Sequence, residues 1–319
     1  MEYRKDTALA GYVENLFRSQ MVEWKMLARN YDNLNAILHK EIVSDGFSLQ
    51  LQYNPGRIRS SSAGIDAASI LKRPCFLCPA NLPEEQKAID YSPDYNILIN
   101  PYPIFEKHLT IACKQHTPQR INGRTTDMLR LAYDLQDYVI LYNGPQSGAS
   151  APDHLHLQAG IKGFLPVEND IRMFHNKKIL KKENRGVIYT MEHYMRKALV
   201  LQSDNSEWLT SQFESLLQFM VKLNPSAEEP MFNMIALYDC NLWTLVVFPR
   251  AKHRPSLYYA EGDRQVLFSP GVVDFGGLLI FPRKEDFDKM NCKLIEEIFE
   301  ELTLDDSTWT ELLNLLQSE

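Results

Sequence analysis

A chain of 319 residues with 45% hydrophobic and 24% charged side chains has material for two soluble domains or one large duplicated one. Its 34 basic and 41 acidic residues leave a net charge of −7, which argues against long nucleic acid, because polyanion binders display a basic surplus. No run approaches the ~18 apolar residues of a membrane span, the first residues lack the apolar core of a secretory signal, and five cysteines form no disulfide scaffold. A cytoplasmic protein is expected, with no membrane partner.

Leu9, Tyr12, Val13, Leu16, Phe17 and Trp24 are spaced for a helix within residues 7–29. The polar stretch 55–65, with Gly56 and Ser60-Ser61-Ser62, reads as a loop. Residues 95–100 read as a buried strand ended by Pro101 and Pro103, and residues 108–112 as a second. A helix follows over about 125–137, then a strand over 138–142, a small-residue loop, and a strand over 154–161. The basic, polar stretch 176–185 reads as a connector. Beyond it lie a strand-rich region over 187–201 and a helix over 207–223 closed by Asn224-Pro225. Residues 305–316 read as a capped packing helix.

The second half echoes the first. Tyr95-Asn96-Ile97-Leu98 aligns with Phe232-Asn233-Met234-Ile235, Leu109-Thr110-Ile111 with Val246-Val247-Phe248, and His116-Thr117-Pro118 with His253-Arg254-Pro255, all at one offset of 137 residues. A strand–strand–His unit used twice is the expectation.

Chemistry concentrates in the run from Asn143 to Gln158. On a strand, His154, His156 and Gln158 share one face with neighbours ~7 Å apart, while Leu155 and Leu157 turn the other way into a core. Gly144, Gly148, Ala149 and Ser150 leave backbone amides open to a phosphate. A neutral imidazole is a competent nucleophile there. Two plainer readings stand beside this one: a histidine metal pair, or half-buried structural histidines after an ordinary turn.

This run resembles the active-site signature of the histidine-triad superfamily. Gln158 stands where the hydrolases have their third histidine, which resembles the transferase branch: galactose-1-phosphate uridylyltransferase, diadenosine tetraphosphate phosphorylase and GDP-hexose phosphorylases. Cys75-Phe76-Leu77-Cys78-Pro79 with Asn100-Pro101-Tyr102-Pro103 looks like the leading segment of the uridylyltransferases. Residues 242–250 and 272–279 look like the second half of the dinucleotide phosphorylases, so the resemblance spans about 73–279. It implies His156 as the nucleophile, Gln158 as the residue holding the nucleotidylated state, and Ser150 as a phosphate contact. Asn143, Gly148, Ala149 and His154 complete the implied nucleotide- and phosphate-binding set. One departure stands out: Ser150 and His154 are four steps apart, where the family pattern has three.

The resemblance also implies a structural zinc ion held by Cys75, Cys78, His116 and His154. The alternative is that Cys75 and Cys78 are simple buried thiols. Arg250 and Lys252, with His253 and Arg254, form a basic cluster that either binds distal or accepting phosphate or is a solvated turn.

The expectation is an α+β, histidine-triad-like protein with two duplicated halves, a mixed, largely antiparallel sheet and flanking helices. Residues 1–175 would form the half carrying the active site, and residues 187–319 the half without the motif. The function expected is transfer of a nucleoside monophosphate through nucleotidyl-His156. The donor is a nucleotide or nucleotide-sugar, the acceptor phosphate or a sugar 1-phosphate. A hydrolase of the same fold and a non-enzymatic nucleotide-binding protein are the rivals, and a homodimer is compatible with the resemblance.

Overall fold

Strand alternation decides how this chain layers, because each strand offers one face to each of two cores. A computed structural model describes residues 8–44, 46–58, 70, 73–225 and 228–318; Ser60, Ser61 and Ser62 of the expected 55–65 loop lie outside the described residues. The strands of the first half are β1 (Leu38–Ser44), β2 (Phe47–Tyr53), β3 (Ala88–Asp90), β4 (Tyr95–Ile99), β5 (Leu109–Cys113), β6 (Tyr138–Asn143) and β7 (His156–Ile161). Those of the second are β8 (Lys177–Glu183), β9 (Gly186–Met191), β10 (Leu199–Ser203), β11 (Phe232–Asp239), β12 (Leu242–Pro249) and β13 (Leu278–Phe281).

Ten of them form one sheet in the order β3-β4-β5-β7-β6-β11-β12-β10-β9-β8, antiparallel throughout. The parallel pairing lies in a second, three-stranded sheet, where β13 joins β2. Outward from the central β6–β11 pair, the two sides read β6, β7, β5, β4, β3 and β11, β12, β10, β9, β8. Each side inserts one long helix, Thr125–Asp134 before β6 and Ser206–Leu223 before β11.

The duplication therefore exists, but not in the register expected from sequence. β11 corresponds to β6 rather than β4, so His253 is not the counterpart of His116. The echo at 137 residues reflects what buried strands share, an apolar run closed by proline. A second correction concerns the 176–185 connector, which forms β8, an edge strand with mostly exposed, charged side chains. Charge on an edge strand discourages pairing with other chains.

One face of the large sheet packs under the helices Leu9–Glu23, Thr125–Asp134, Ser206–Leu223 and Asp306–Gln317, with Ile97, Ile111, Ile140 and Leu157 turned into that core. The opposite face of the second half is covered by the small sheet and by the helices Val272–Phe275 and Cys292–Leu302. On the same face β6 adds Val139 and Leu141 to the core beneath that cover, and over β4 and β5 a small cluster forms among the described residues, Cys75, Leu77, Leu98, Ala112 and Ala151. That thinner cover leaves room for a site. Among the described residues, no helix is long and apolar enough to cross a membrane.

Candidate active site

β7 lies between β5 and β6, with His156 opposite Ala112 and Gln158 opposite Thr110. Leu157 and Ala159 enter the helix-covered core, so His156 and Gln158 face the thinly covered side. His154 precedes the strand instead of opening it. Its N–H closes a turn onto the Ala151 carbonyl at 3.2 Å, which absorbs the extra residue of the loop within Pro152-Asp153. The expected three-residue stripe is thereby divided: Gln158 and His156 stay together, and His154 turns elsewhere.

The tautomer of His156 follows from its neighbour. Nδ1 lies 2.8 Å from the His154 carbonyl oxygen, which can only accept, so Nδ1 carries the proton and Nε2 the lone pair. Burial pulls the imidazole down to about 4, leaving it uncharged at neutral pH. Gln119, fully buried, clamps the strand. Its Oε1 accepts the His156 N–H at 2.8 Å, and its Nε2 donates to the Asn143 and His156 carbonyls. Gln158 is fixed by His108, whose Nε2 lies 2.7 Å from Oε1. Burial pulls His108 down to about 3, so it donates as a neutral ring. This leaves the Gln158 carboxamide NH₂ to donate elsewhere.

The loop before β7 is held from the second half. Asn143 Oδ1 accepts from Asn233 Nδ2 at 2.8 Å and from the Val272 N–H at 2.7 Å. Gly148 has φ of +95°, and a Cβ there would stand 2.7 Å from the Gly271 Cα. Only glycine passes so close to another backbone in that conformation.

Two cavities meet at this loop. The larger, about 460 Å³, is mainly apolar, with Trp24, Phe76, Leu77, Leu82 and Tyr102 around His156. That is the size and lining of a small-molecule pocket, and it accounts for the exposure of the Phe76 and Tyr102 rings. The smaller, about 90 Å³, is polar, lined by Asn143, Gly148, Ala149, Arg254, Ser269 and Gly271 among others. Arg57, Asn100, Ser150 and Gln158 line both. A neutral imidazole thus stands beside a cationic, amide-rich recess, an arrangement suited to displacement at phosphorus.

Cys75, Cys78, His116 and His154 come together as a group that could hold a metal ion, their ligand atoms all within 4.8 Å of one another. His154 Nδ1 lies 3.2 Å from Cys75 Sγ and 3.5 Å from Cys78 Sγ, and His116 Nδ1 lies 3.2 Å from Cys78 Sγ. Tetrahedral ligands at zinc distances are separated by about 3.3–3.8 Å, so the donor set fits. The outer contacts agree with it. His154 Nε2–H donates to the Cys113 carbonyl at 2.7 Å, leaving Nδ1 unprotonated, and His116 Nε2 faces Asp153 at 3.7 Å.

Arg250 and Lys252 sit apart from both cavities. Arg250 is buried, donating to Asn233 Oδ1 and to the carbonyls of Pro270, Lys252 and His253. It acts on the loop through Asn233, which also donates to the Ser147 carbonyl. Lys252 is exposed and pairs with Glu301 at 2.8 Å. Hydropathy cannot distinguish a buried arginine from a solvated one. Arg250→Met is expected to cost roughly 3 kcal/mol by orphaning several acceptors, and Lys252→Ala under about 0.5 kcal/mol. Urea denaturation separates the two, and equal losses would refute this division of roles.

Arg57, His108 and Gln119 escaped the sequence reading, whereas Arg254 belonged to the basic cluster read there. Only His108 carried a usable signal, since alternation from Thr110 places it on the His156 side of the sheet.

The fold, two halves joined across one sheet, is similar to that of a solved phosphorylase. Residues 171–318 match the family described as GDPGP1-like, C-terminal domain, and residues 16–161 match Domain of unknown function (DUF4922). The chain superposes on yeast Ap4A phosphorylase Apa2 in complex with AMP with a TM-score of 0.63 and 15% identity, covering 92% of this chain and 96% of that one. On the complex of the same enzyme with Ap4A the values are 0.62, 15%, 92% and 98%. A comparison with curated proteins finds no match.

Proposed function

We propose that this protein transfers a nucleoside monophosphate through a covalent intermediate on His156. The reading rests on one observation: the lone pair of a buried, neutral His156 opens beside residues shared by an apolar pocket and a polar, cationic one. The nucleoside occupies the larger cavity and the remaining phosphates the smaller. Nε2 forms a bond to the α-phosphorus as the bond to the leaving phosphate oxygen breaks. Ser150, the amides of Gly148 and Ala149, and the Gln158 NH₂ meet the charge that develops on the non-bridging oxygens. An acceptor phosphate or sugar 1-phosphate then displaces His156, restoring the enzyme. The AMP and Ap4A complexes of the superposed phosphorylase support a nucleotide donor.

Zinc is the ion proposed for the cysteine–histidine group, with a structural role. It would fix residues 75–78 against His154, two residues before the nucleophile. Cys75, Cys78, His116 and His154 hold it, and no group of the reaction depends on it directly.

Intact-protein mass spectrometry after mixing with a panel of nucleotide donors, without acceptor, tests the proposal. An added mass of one nucleoside monophosphate is expected, absent from His156→Ala, and it also identifies the base. Donor bound but neither added nor consumed would favour a nucleotide-binding protein. Donor consumed without an adduct would favour a hydrolase.

A further inference from the structure

His253 is unused by the mechanism above, yet its ring lines the smaller cavity together with Arg254, Ser269 and Gly271. Nδ1 lies 2.8 Å from the Gln146 carbonyl oxygen, so it carries the proton and Nε2 holds the lone pair. Nε2 is buried and has no hydrogen-bond partner among the described residues. Every other polar group argued to meet phosphate there is a donor. The carboxylate and carboxamide oxygens that line it are engaged: those of Asp274 by the N–H groups of Gly271 and Ile280, Asn143 Oδ1 by Asn233 and the Val272 N–H, Asn100 Oδ1 by the Tyr102 N–H, and Gln158 Oε1 by His108. A fully ionised phosphate, all acceptor, satisfies the donors but leaves Nε2 facing another lone pair. A phosphate carrying one hydroxyl satisfies both.

We propose that His253 is the specificity residue for the acceptor, its Nε2 receiving a hydrogen bond from a hydroxyl on the attacking phosphate. The role rests on nucleotidyl transfer through His156 and adds the acceptor class: orthophosphate, which keeps a P–OH as its dianion. A phosphomonoester, with a second pKa near ~6, has none in mildly alkaline solution. In the discharging step an anionic acceptor oxygen forms the new P–O bond as the P–Nε2 bond to His156 breaks, its electron pair returning to Nε2. The acceptor's hydroxyl proton remains on its own oxygen throughout, shared with His253, so no proton is gained or lost. Burial, with Arg250 and Arg254 nearby, pulls His253 down to about 4, which keeps Nε2 an acceptor at neutral pH.

The test uses His253→Asn, which keeps an N–H donor near the Nδ1 position for the Gln146 carbonyl and places nothing at Nε2. Nucleotidyl-enzyme, formed with whichever donor labels His156, is discharged at pH 8 with orthophosphate or with methyl phosphate. The native protein is expected to prefer orthophosphate. His253→Asn should lose about 10- to 100-fold in kcat/KM for orthophosphate, the scale of one hydrogen bond, and little for methyl phosphate. His253→Gln, which returns an acceptor oxygen near Nε2, should recover part of the preference. An unchanged ratio in His253→Asn overturns the role, and so does an equal loss with both acceptors, which marks a merely structural tie to the 146 loop. A native protein that prefers methyl phosphate overturns it too. Failure of the native protein to form any adduct instead removes the His156 reading on which it rests.

Discussion

Replacing His156 with asparagine is expected to lower turnover by about 10⁴- to 10⁶-fold, the range seen when a covalent nucleophile is removed while binding groups remain. Asparagine is the informative choice because its amide N–H can take the place of Nδ1 and donate to the His154 carbonyl, an interaction of 2.8 Å in the native protein. The clamp from Gln119 involves only the His156 backbone and survives the substitution. The variant should therefore fold and bind donor in the larger cavity with affinity near that of the native protein. Gln158→Ala is expected to lose far less, about 10- to 100-fold, since one donor to the phosphate is removed and the nucleophile stays. Steady-state rates of donor consumption, read beside ligand affinity, check both. Turnover above about 1% in a folded His156→Asn protein would mean that the acceptor attacks the donor directly.

The parts legible in sequence were those with a period or a local spacing. Alternation gave β4 to β7 within a residue or two, because each is flanked by proline or small-residue turns that punctuate the pattern. The Cys75/Cys78 spacing hinted at a metal, but His116 and His154 joined it only through the family resemblance, because the group is assembled from distant parts of the chain. What stayed hidden depends on contacts remote in sequence. Gln119 stands in for a ladder partner between β6 and β7, and nothing in its neighbours signals that. Arg250 and Lys252 sit two residues apart, yet one is sealed under the 270 loop and the other pairs at the surface. The repeat was present but misaligned, since a short apolar strand resembles any other. Only the hydrogen-bonded order of the sheet reveals that β6 and β11 are the matching pair.

The second large effect concerns the cysteine–histidine group. Purified protein is expected to carry one zinc ion per chain, and Cys75→Ser or a strong chelator should remove it. An ion that binds only the folded chain, at a free concentration a thousandfold above Kd, stabilises by about 4 kcal/mol. For a chain of this size that corresponds to roughly 6 °C in Tm. The loss should not stop at stability. Phe76 and Leu77 lie between the two cysteines and line the larger cavity, and Arg73, two residues before Cys75, packs over the Phe76 ring at 4.8 Å and reaches the Ser150 carbonyl at 3.3 Å. Releasing the 75–78 turn therefore loosens one wall of the proposed nucleoside pocket and the loop that carries Ser150. Donor KM should rise about 10-fold while the mass of the nucleotidyl adduct is unchanged, because His156 itself is held by Gln119 and the His154 backbone. Elemental analysis with thermal unfolding in the presence and absence of chelator settles the matter. Native protein that is purified without zinc, and whose melting temperature chelator leaves unchanged, would return Cys75 and Cys78 to the status of buried thiols.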